Sequence, residues 1–308
     1  MKLLSIIAVV ISLILSFLSF SAGMPSPPLV EKNTFLIGGF LPWWIDSSGL
    51  DTSSLSWISP FALTPQNGEW ISLLKYDGFL PDDMIGVRML WTVRIFHYDD
   101  GSFLEDPDET YAMVKKLKVF LQDSDGIVLD VEDYCLWPYI VNFTAAYRKL
   151  YPDKLLYLTL PDFRVSVDMT LVSDVDMFLL MAYDYSPENG ILSPLTSVRE
   201  TLNNYSFLYP KLMLGIPLYG YVFNTRGWVS VRGNSLMMAS CQDAHEEDGE
   251  TRCMVSGTLT TEGGELLHAD GYPAVFLTDK QIKERISLAK KYHLSGVFFW
   301  ALGYMPIP

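Results

Sequence analysis

Cysteine and histidine are scarce in this chain: three Cys and four His among 308 residues. None of the histidines (His97, His245, His268, His293) falls at a spacing typical of zinc, and no metal-ligand cluster appears along the chain. No metal and no cofactor is therefore expected. Positive charge is also in short supply: 22 Lys and Arg against 36 Asp and Glu leave a net charge of -14. Such a surface repels phosphate backbones, which argues against nucleic acid as a partner. Sequence repeats and low-complexity tracts are absent.

Long apolar runs are absent too, save one at the start. Met1-Lys2 is a short basic opening, and Leu3 to Phe20 is apolar apart from serines. Residues 1–23 read as a signal peptide, with small residues at Ser19, Ser21 and Gly23, or as an uncleaved N-terminal anchor. In both cases the bulk of the chain lies outside the cytoplasm, secreted or associated with the cell envelope, and touches a membrane only if the segment stays uncleaved. Residues 24–33, with Pro25, Pro27 and Pro28, read as a linker.

What is present is a hydrophobic, aromatic chain: 49% hydrophobic, with eight Trp and 17 Tyr. That composition suits a large folded core and a neutral ligand with flat faces, such as a sugar. Short apolar runs predict eight strands: Phe35–Phe40, Trp57–Leu63, Val87–Val93, Ile127–Val131, Leu155–Leu160, Val175–Ala182, Lys211–Ile216 and Gly296–Trp300. Helical spacing recurs between them, as at Tyr111, Val114, Leu117 and Leu121, and at Ile282, Ile286 and Ala289. Strand and helix in alternation predict an α/β fold, a (β/α)8 TIM barrel over residues 34–308, with its site at the C-terminal strand ends. Residues 221–275 break the rhythm and read as a small β-rich insertion between strands seven and eight.

The run Asp125-Gly126-Ile127-Val128-Leu129-Asp130-Val131-Glu132 puts three carboxylates into a stretch patterned as a buried strand. Alternation points Asp130 and Glu132 to one face, with Val128 below them. Two neighbouring acids at the end of an apolar strand are costly unless they are used or paired. A proton shared between them would leave Glu132 partly protonated, as an acid for glycosidic-bond cleavage must be. The plainer alternative is a strand end running into a polar turn with a helix cap at Asp133. Further strand ends add Met181-Ala182-Tyr183-Asp184-Tyr185, then Pro217-Leu218-Tyr219-Gly220, then Phe299-Trp300. A phenol, a carboxylate, a second Tyr and an indole thus gather around the acid pair.

In these motifs the chain resembles glycoside hydrolase family 18, the chitinases and chitinase-like proteins. The family's strand-four pattern D-x-x-D-x-D-x-E is matched by Asp125, Asp130 and Glu132, its M-x-Y-D by Met181, Tyr183 and Asp184, and its terminal strand Trp by Trp300. Within the family it is most similar to the spore-cortex-lytic and chitobiase-like branch. The resemblance implies a secreted hydrolase of β-linked N-acetylglucosamine glycans (chitin, peptidoglycan or an N-glycan core), working by substrate-assisted retention. It implies catalytic roles for Glu132, Asp130 and Tyr183. It implies sugar contacts from Trp300, Asp184, Met181 and Tyr219, and a supporting role for Asp125. The barrel rule adds Trp43, just past strand one, and the insertion offers Trp228. One departure stands out: Val128 replaces the family's middle Asp. That removes a like charge, so Asp130 should ionise more readily than in full-pattern relatives.

Two other functions compete: a chitinase-like lectin that binds such glycans without cutting them, and an anchored structural protein of the envelope. Export permits disulfides, and Cys241 with Cys253 are predicted to pair. Cys135 is expected to be a buried free thiol. Asn142-Phe143-Thr144 and Asn204-Tyr205-Ser206 are glycosylation acceptors only in a eukaryotic cell.

Overall fold

The computed structural model describes residues 34–307 except 75–78, 82–83, 97–99 and 162–164. The N-terminal signal or anchor, the linker and His97 lie outside the described residues. No helix among the described residues is long and apolar enough to cross a membrane.

Eight parallel strands close into a barrel: β1 (Leu36–Pro42), β2 (Trp57–Gln66), β4 (Arg88–Ile95), β5 (Gly126–Val131), β6 (Leu155–Leu160), β7 (Met177–Leu180), β8 (Leu212–Pro217) and β14 (Gly296–Trp300). Pairing of β1 with both β14 and β2 completes the ring. All eight predicted strands are present. The sixth is shorter than its apolar run, because Asp174 still belongs to a helix and the chain leaves the sheet after Leu180. An unpredicted strand, β3 (Glu69–Ser72), folds back on β2 as a hairpin. Its turn is Asn67-Gly68, both with positive φ (52° and 73°), the residue pair that a tight hairpin favours.

Helices fill the connections between the strands. Helix α1 (Pro107–Lys116) starts at Asp106, whose carboxylate accepts the N–H groups of Asp108 and Glu109 at 2.8 and 3.1 Å. Helix α2 (Ile140–Leu150) follows β5, α3 (Met169–Asp174) precedes β7, and α4 (Leu195–Asn204) precedes β8. The core lies between barrel and helices: Ile127, Leu129 and Val131 of β5 join Phe143 and Tyr147 of α2 there. Alternation then turns Val128 and Asp130 into the barrel interior.

Between β8 and β14 the chain forms a second, antiparallel sheet. Its strands are β9 (Tyr219–Asn224), β10 (Gly227–Arg232), β11 (Ser240–Glu247), β12 (Glu250–Thr260) and β13 (Leu266–Phe276), in the order β10-β9-β13-β12-β11. A short helix α5 (Gly233–Met238) precedes β11. The sheet has its own small core, including Val222, Val231, Leu236, Val255 and Phe276. The predicted disulfide Cys241–Cys253 is formed and staples β11 to β12. Helix α6 (Asp279–Lys291), opened by a Thr278–Gln281 capping box, returns the chain to β14.

Candidate active site

The C-terminal strand ends surround a cavity of about 180 Å³ lined by Phe40, Phe61, Asp130, Glu132, Met181, Tyr183, Asp184 and Trp300. Six of the predicted site residues therefore meet in one place. β5 delivers Asp130, and Glu132 stands exposed just beyond its end. β7 leads into Met181, Tyr183 and Asp184, and β14 ends on Trp300.

Asp130 is only 2% exposed. Its Oδ1 accepts a hydrogen bond from Thr159 Oγ1 at 2.8 Å, and Arg94 is its register partner on β4. Burial nevertheless dominates and pushes its carboxyl up to about 6, against the lowering influence of Thr159 and Arg94. Val128 itself is fully buried, level with Thr92 on β4 and Tyr157 on β6.

Tyr183 is buried, and its phenol is pushed well above its ordinary range by burial, then by Asp184, Glu132 and Asp130. It is a committed O–H donor. Asp184 adopts a left-handed backbone (φ 60°), and its Oδ1 accepts the hydroxyls of both Tyr219 and Tyr221. Burial raises the Asp184 carboxyl. Tyr219 thus reaches the cavity through Asp184 rather than lining it.

Trp300 packs edge-on against Phe61 and Phe40, with ring centres 4.8 and 5.5 Å away. Its indole N–H donates to Glu262 Oε1 at 3.3 Å. Glu262, in the turn between β12 and β13, has its carboxyl raised by burial. Its sequence context carries no signal for such a role: Glu262-Gly263-Gly264 reads as an ordinary turn. Thr159 was also missed, although a hydroxyl at an alternate position in Leu155–Leu160 is a usable signal.

Besides Tyr219, three predicted residues lie outside the cavity lining. Trp43 stacks on the cavity residue Phe61, with ring centres 6.3 Å apart, and stays one ring behind the cavity. Trp228 packs on Phe223, 5.2 Å between centres, and does not line the cavity. Asp125 is exposed at the opposite end of β5, where it accepts the Met89 N–H at 2.8 Å. Cys135 requires a correction: it is free but exposed, because residues 133–136 form a surface turn in which Asp133 Oδ1 accepts the Cys135 N–H at 2.9 Å. The strand thus runs into a polar turn, as the plainer alternative has it, but the short helix that follows starts at Trp137 without a side-chain cap and is not capped by Asp133. Among the described residues no group of His, Cys, Asp and Glu is arranged to hold a metal ion.

A closed parallel barrel with acids and aromatic rings at the C-terminal strand ends has its candidate site where barrel enzymes place theirs. Residues 107–304 match the model of the glycosyl hydrolases family 18, well over half of the chain. The chain belongs to that family. No curated protein matches it. Among solved structures, a mutant of the class V chitinase from Nicotiana tobaccum in complex with NAG4 is 14% identical (TM-score 0.68; 88% of this chain and 95% of that one covered). The spore cortex-lytic enzyme SleL of Bacillus megaterium is 15% identical (TM-score 0.63; 92% and 74% covered). A chitinase-like agglutinin from Robinia pseudoacacia is 14% identical (TM-score 0.70; 87% and 95% covered). At these identities the likeness is one of fold.

Proposed function

We propose that the chain is an extracytoplasmic glycoside hydrolase that cleaves β-linked N-acetylglucosamine glycans by substrate-assisted retention. The observation that carries this reading is the meeting of Glu132, Asp130, Tyr183 and Trp300 around one cavity. Glu132, exposed at the mouth, donates its proton to the glycosidic oxygen as the C1–O bond breaks. The carbonyl oxygen of the sugar's own acetamido group attacks C1 and closes an oxazolinium ring. Asp130 accepts the acetamido N–H and balances the positive charge, and Tyr183 donates its O–H to the acetamido oxygen. Water then adds to C1 while Glu132 takes back a proton, so the configuration at C1 is retained. Trp300 is the floor under the cleaved sugar. Holding the internal nucleophile in attack geometry supplies much of the rate.

The complex of the tobacco protein with NAG4 supports an N-acetylglucosamine ligand. The Cys241–Cys253 bridge supports an oxidising compartment. The agglutinin neighbour keeps a lectin as the second reading. One experiment separates them: chitin oligomers, peptidoglycan fragments and an N-glycan core are incubated with wild type and with Glu132→Gln, and products are read by mass. Hydrolysis by wild type alone, with binding kept in the variant, supports the hydrolase. Binding without turnover in both makes the protein a lectin.

A further inference from the structure

Ser193 is 1% exposed and uses all three of its polar groups on three different parts of the chain. Its hydroxyl donates to the Ala182 carbonyl at 2.7 Å, immediately before Tyr183 and Asp184. Its N–H donates to Glu250 Oε1 at 2.5 Å, at the start of β12. Its carbonyl accepts from the guanidinium of Arg285 on α6. Glu250 and Arg285 are themselves buried. Arg285 also donates to the Gly249 carbonyl at 3.0 Å, and Arg252 donates to Glu250 at 3.3 Å.

The second sheet grips the same loop elsewhere. Ser186 and Ile191 exchange backbone hydrogen bonds at 3.1 and 3.0 Å, closing residues 186–191 into a small hairpin. Trp228 lies so close to Gly190 at its tip that a Cβ there would come within 2.4 Å of the indole. Asp248 accepts the Thr196 N–H at 3.2 Å and so caps α4, which has no side-chain cap from its own Pro194. Asp184, at the start of this loop, has the left-handed backbone that non-glycine residues keep only when their surroundings hold them.

A buried acid and a buried guanidinium are a costly way to hold an ordinary surface loop. We infer that Ser193, held by Glu250 and Arg285, is a positioning residue that fixes Tyr183 and Asp184 at the barrel mouth. The second sheet is then a working part of the site. This rests on the hydrolase reading above, in which Tyr183 must meet the acetamido oxygen. Small displacements of such a donor cost rate rather than binding.

The test uses the full chain and the N-acetylglucosamine tetramer. Ser193→Ala deletes only the bond to Ala182. Thr144→Ala, on α2 with its hydroxyl near the Val141 carbonyl at 3.3 Å, is the control for a buried hydroxyl lost outside the site. Ser193→Ala is expected to lower kcat about 10- to 30-fold with KM within about twofold, since misplacing a reacting group acts on the chemical step. Amide exchange of residues 182–193 should quicken at least about tenfold, as for a locally released segment. Thr144→Ala should lose thermal stability but keep kcat. Glu250→Gln, which retains an acceptor oxygen, should keep more activity than Glu250→Ala. Wild-type kcat in Ser193→Ala, or a fall in kcat with the loop's exchange unchanged, overturns the inference. If wild type fails to cleave any glycan, the hydrolase reading fails separately and exchange decides: loosening confined to 182–193 supports the lock, and unchanged exchange overturns it.

Discussion

The two ends of strand β5 carry the same residue type in opposite circumstances. At the foot, Asp125 is exposed, accepts the Met89 N–H at 2.8 Å and returns its own N–H to the Met89 carbonyl at 2.8 Å, fixing β5 against β4. At the mouth, Asp130 is dehydrated, bonded to Thr159 and raised to about 6. The foot is built for register and packing: Trp57 fills the space that Gly38 leaves open, where a Cβ would lie 2.1 Å from its ring. The mouth is built around charge in a place where charge is expensive. A motif that spans both ends is therefore not one functional unit, and its acids divide by their height along the strand.

Substitutions at the two ends break or sharpen that contrast. The largest effect is expected at the mouth. Glu132→Gln should lower kcat roughly 10³-fold while glycan binding persists, as for loss of a general acid. Asp130→Asn should lower kcat about 10²-fold, as for loss of an oriented electrostatic partner. The same variant should gain stability at neutral pH. Because folding raises the Asp130 pKa from 3.8 to about 6, the unfolded chain releases this proton first as pH rises. Wild-type stability should then fall between pH 4 and pH 6, by about 2–3 kcal/mol at most, and level off above. Urea denaturation across that range checks the slope, and a shallower profile in Asp130→Asn assigns its share, Asp184 and Glu262 being raised by burial as well.

At the foot itself, at Gly38 and Asp125, the expected losses are of stability alone, while Val128 lies between foot and mouth. Gly38→Ala should destabilise by about 1–3 kcal/mol through overpacking against Trp57, with kcat per folded molecule unchanged. Val128→Asp adds a like charge beneath Asp130 and should move the acid limb of the pH–rate curve upward by about one unit. Identical curves would remove Val128 from the account. The smallest change is Asp125→Asn, where an amide oxygen can still accept the Met89 N–H. It should cost under about 1 kcal/mol and leave kcat within about twofold. A large loss of kcat there would erase the distinction between foot and mouth.

The parts of this molecule legible in the sequence are those governed by local pattern. Short apolar runs mark all eight barrel strands, and the strand ends mark Asp130, Glu132, Tyr183 and Trp300, which line one cavity. Glu262 and Ser193 were not legible, because their partners are distant in sequence: Trp300 comes 38 residues after Glu262, and Glu250 comes 57 after Ser193. Trp228 is hard to place for a related reason. An indole in an insertion looks equally available for a sugar or for a glycine, and here Gly190 takes it. Cys135 shows the limit of local context, since the turn at Asp133 lifts it out of an apolar neighbourhood.

That thiol has a practical side. The chain's other two cysteines are bridged, so Cys135 is the single sulfhydryl open to alkylation, three residues past Glu132. A maleimide fluorophore would attach at one known spot beside the entrance, turning the unaltered polypeptide into its own optical reporter of occupancy.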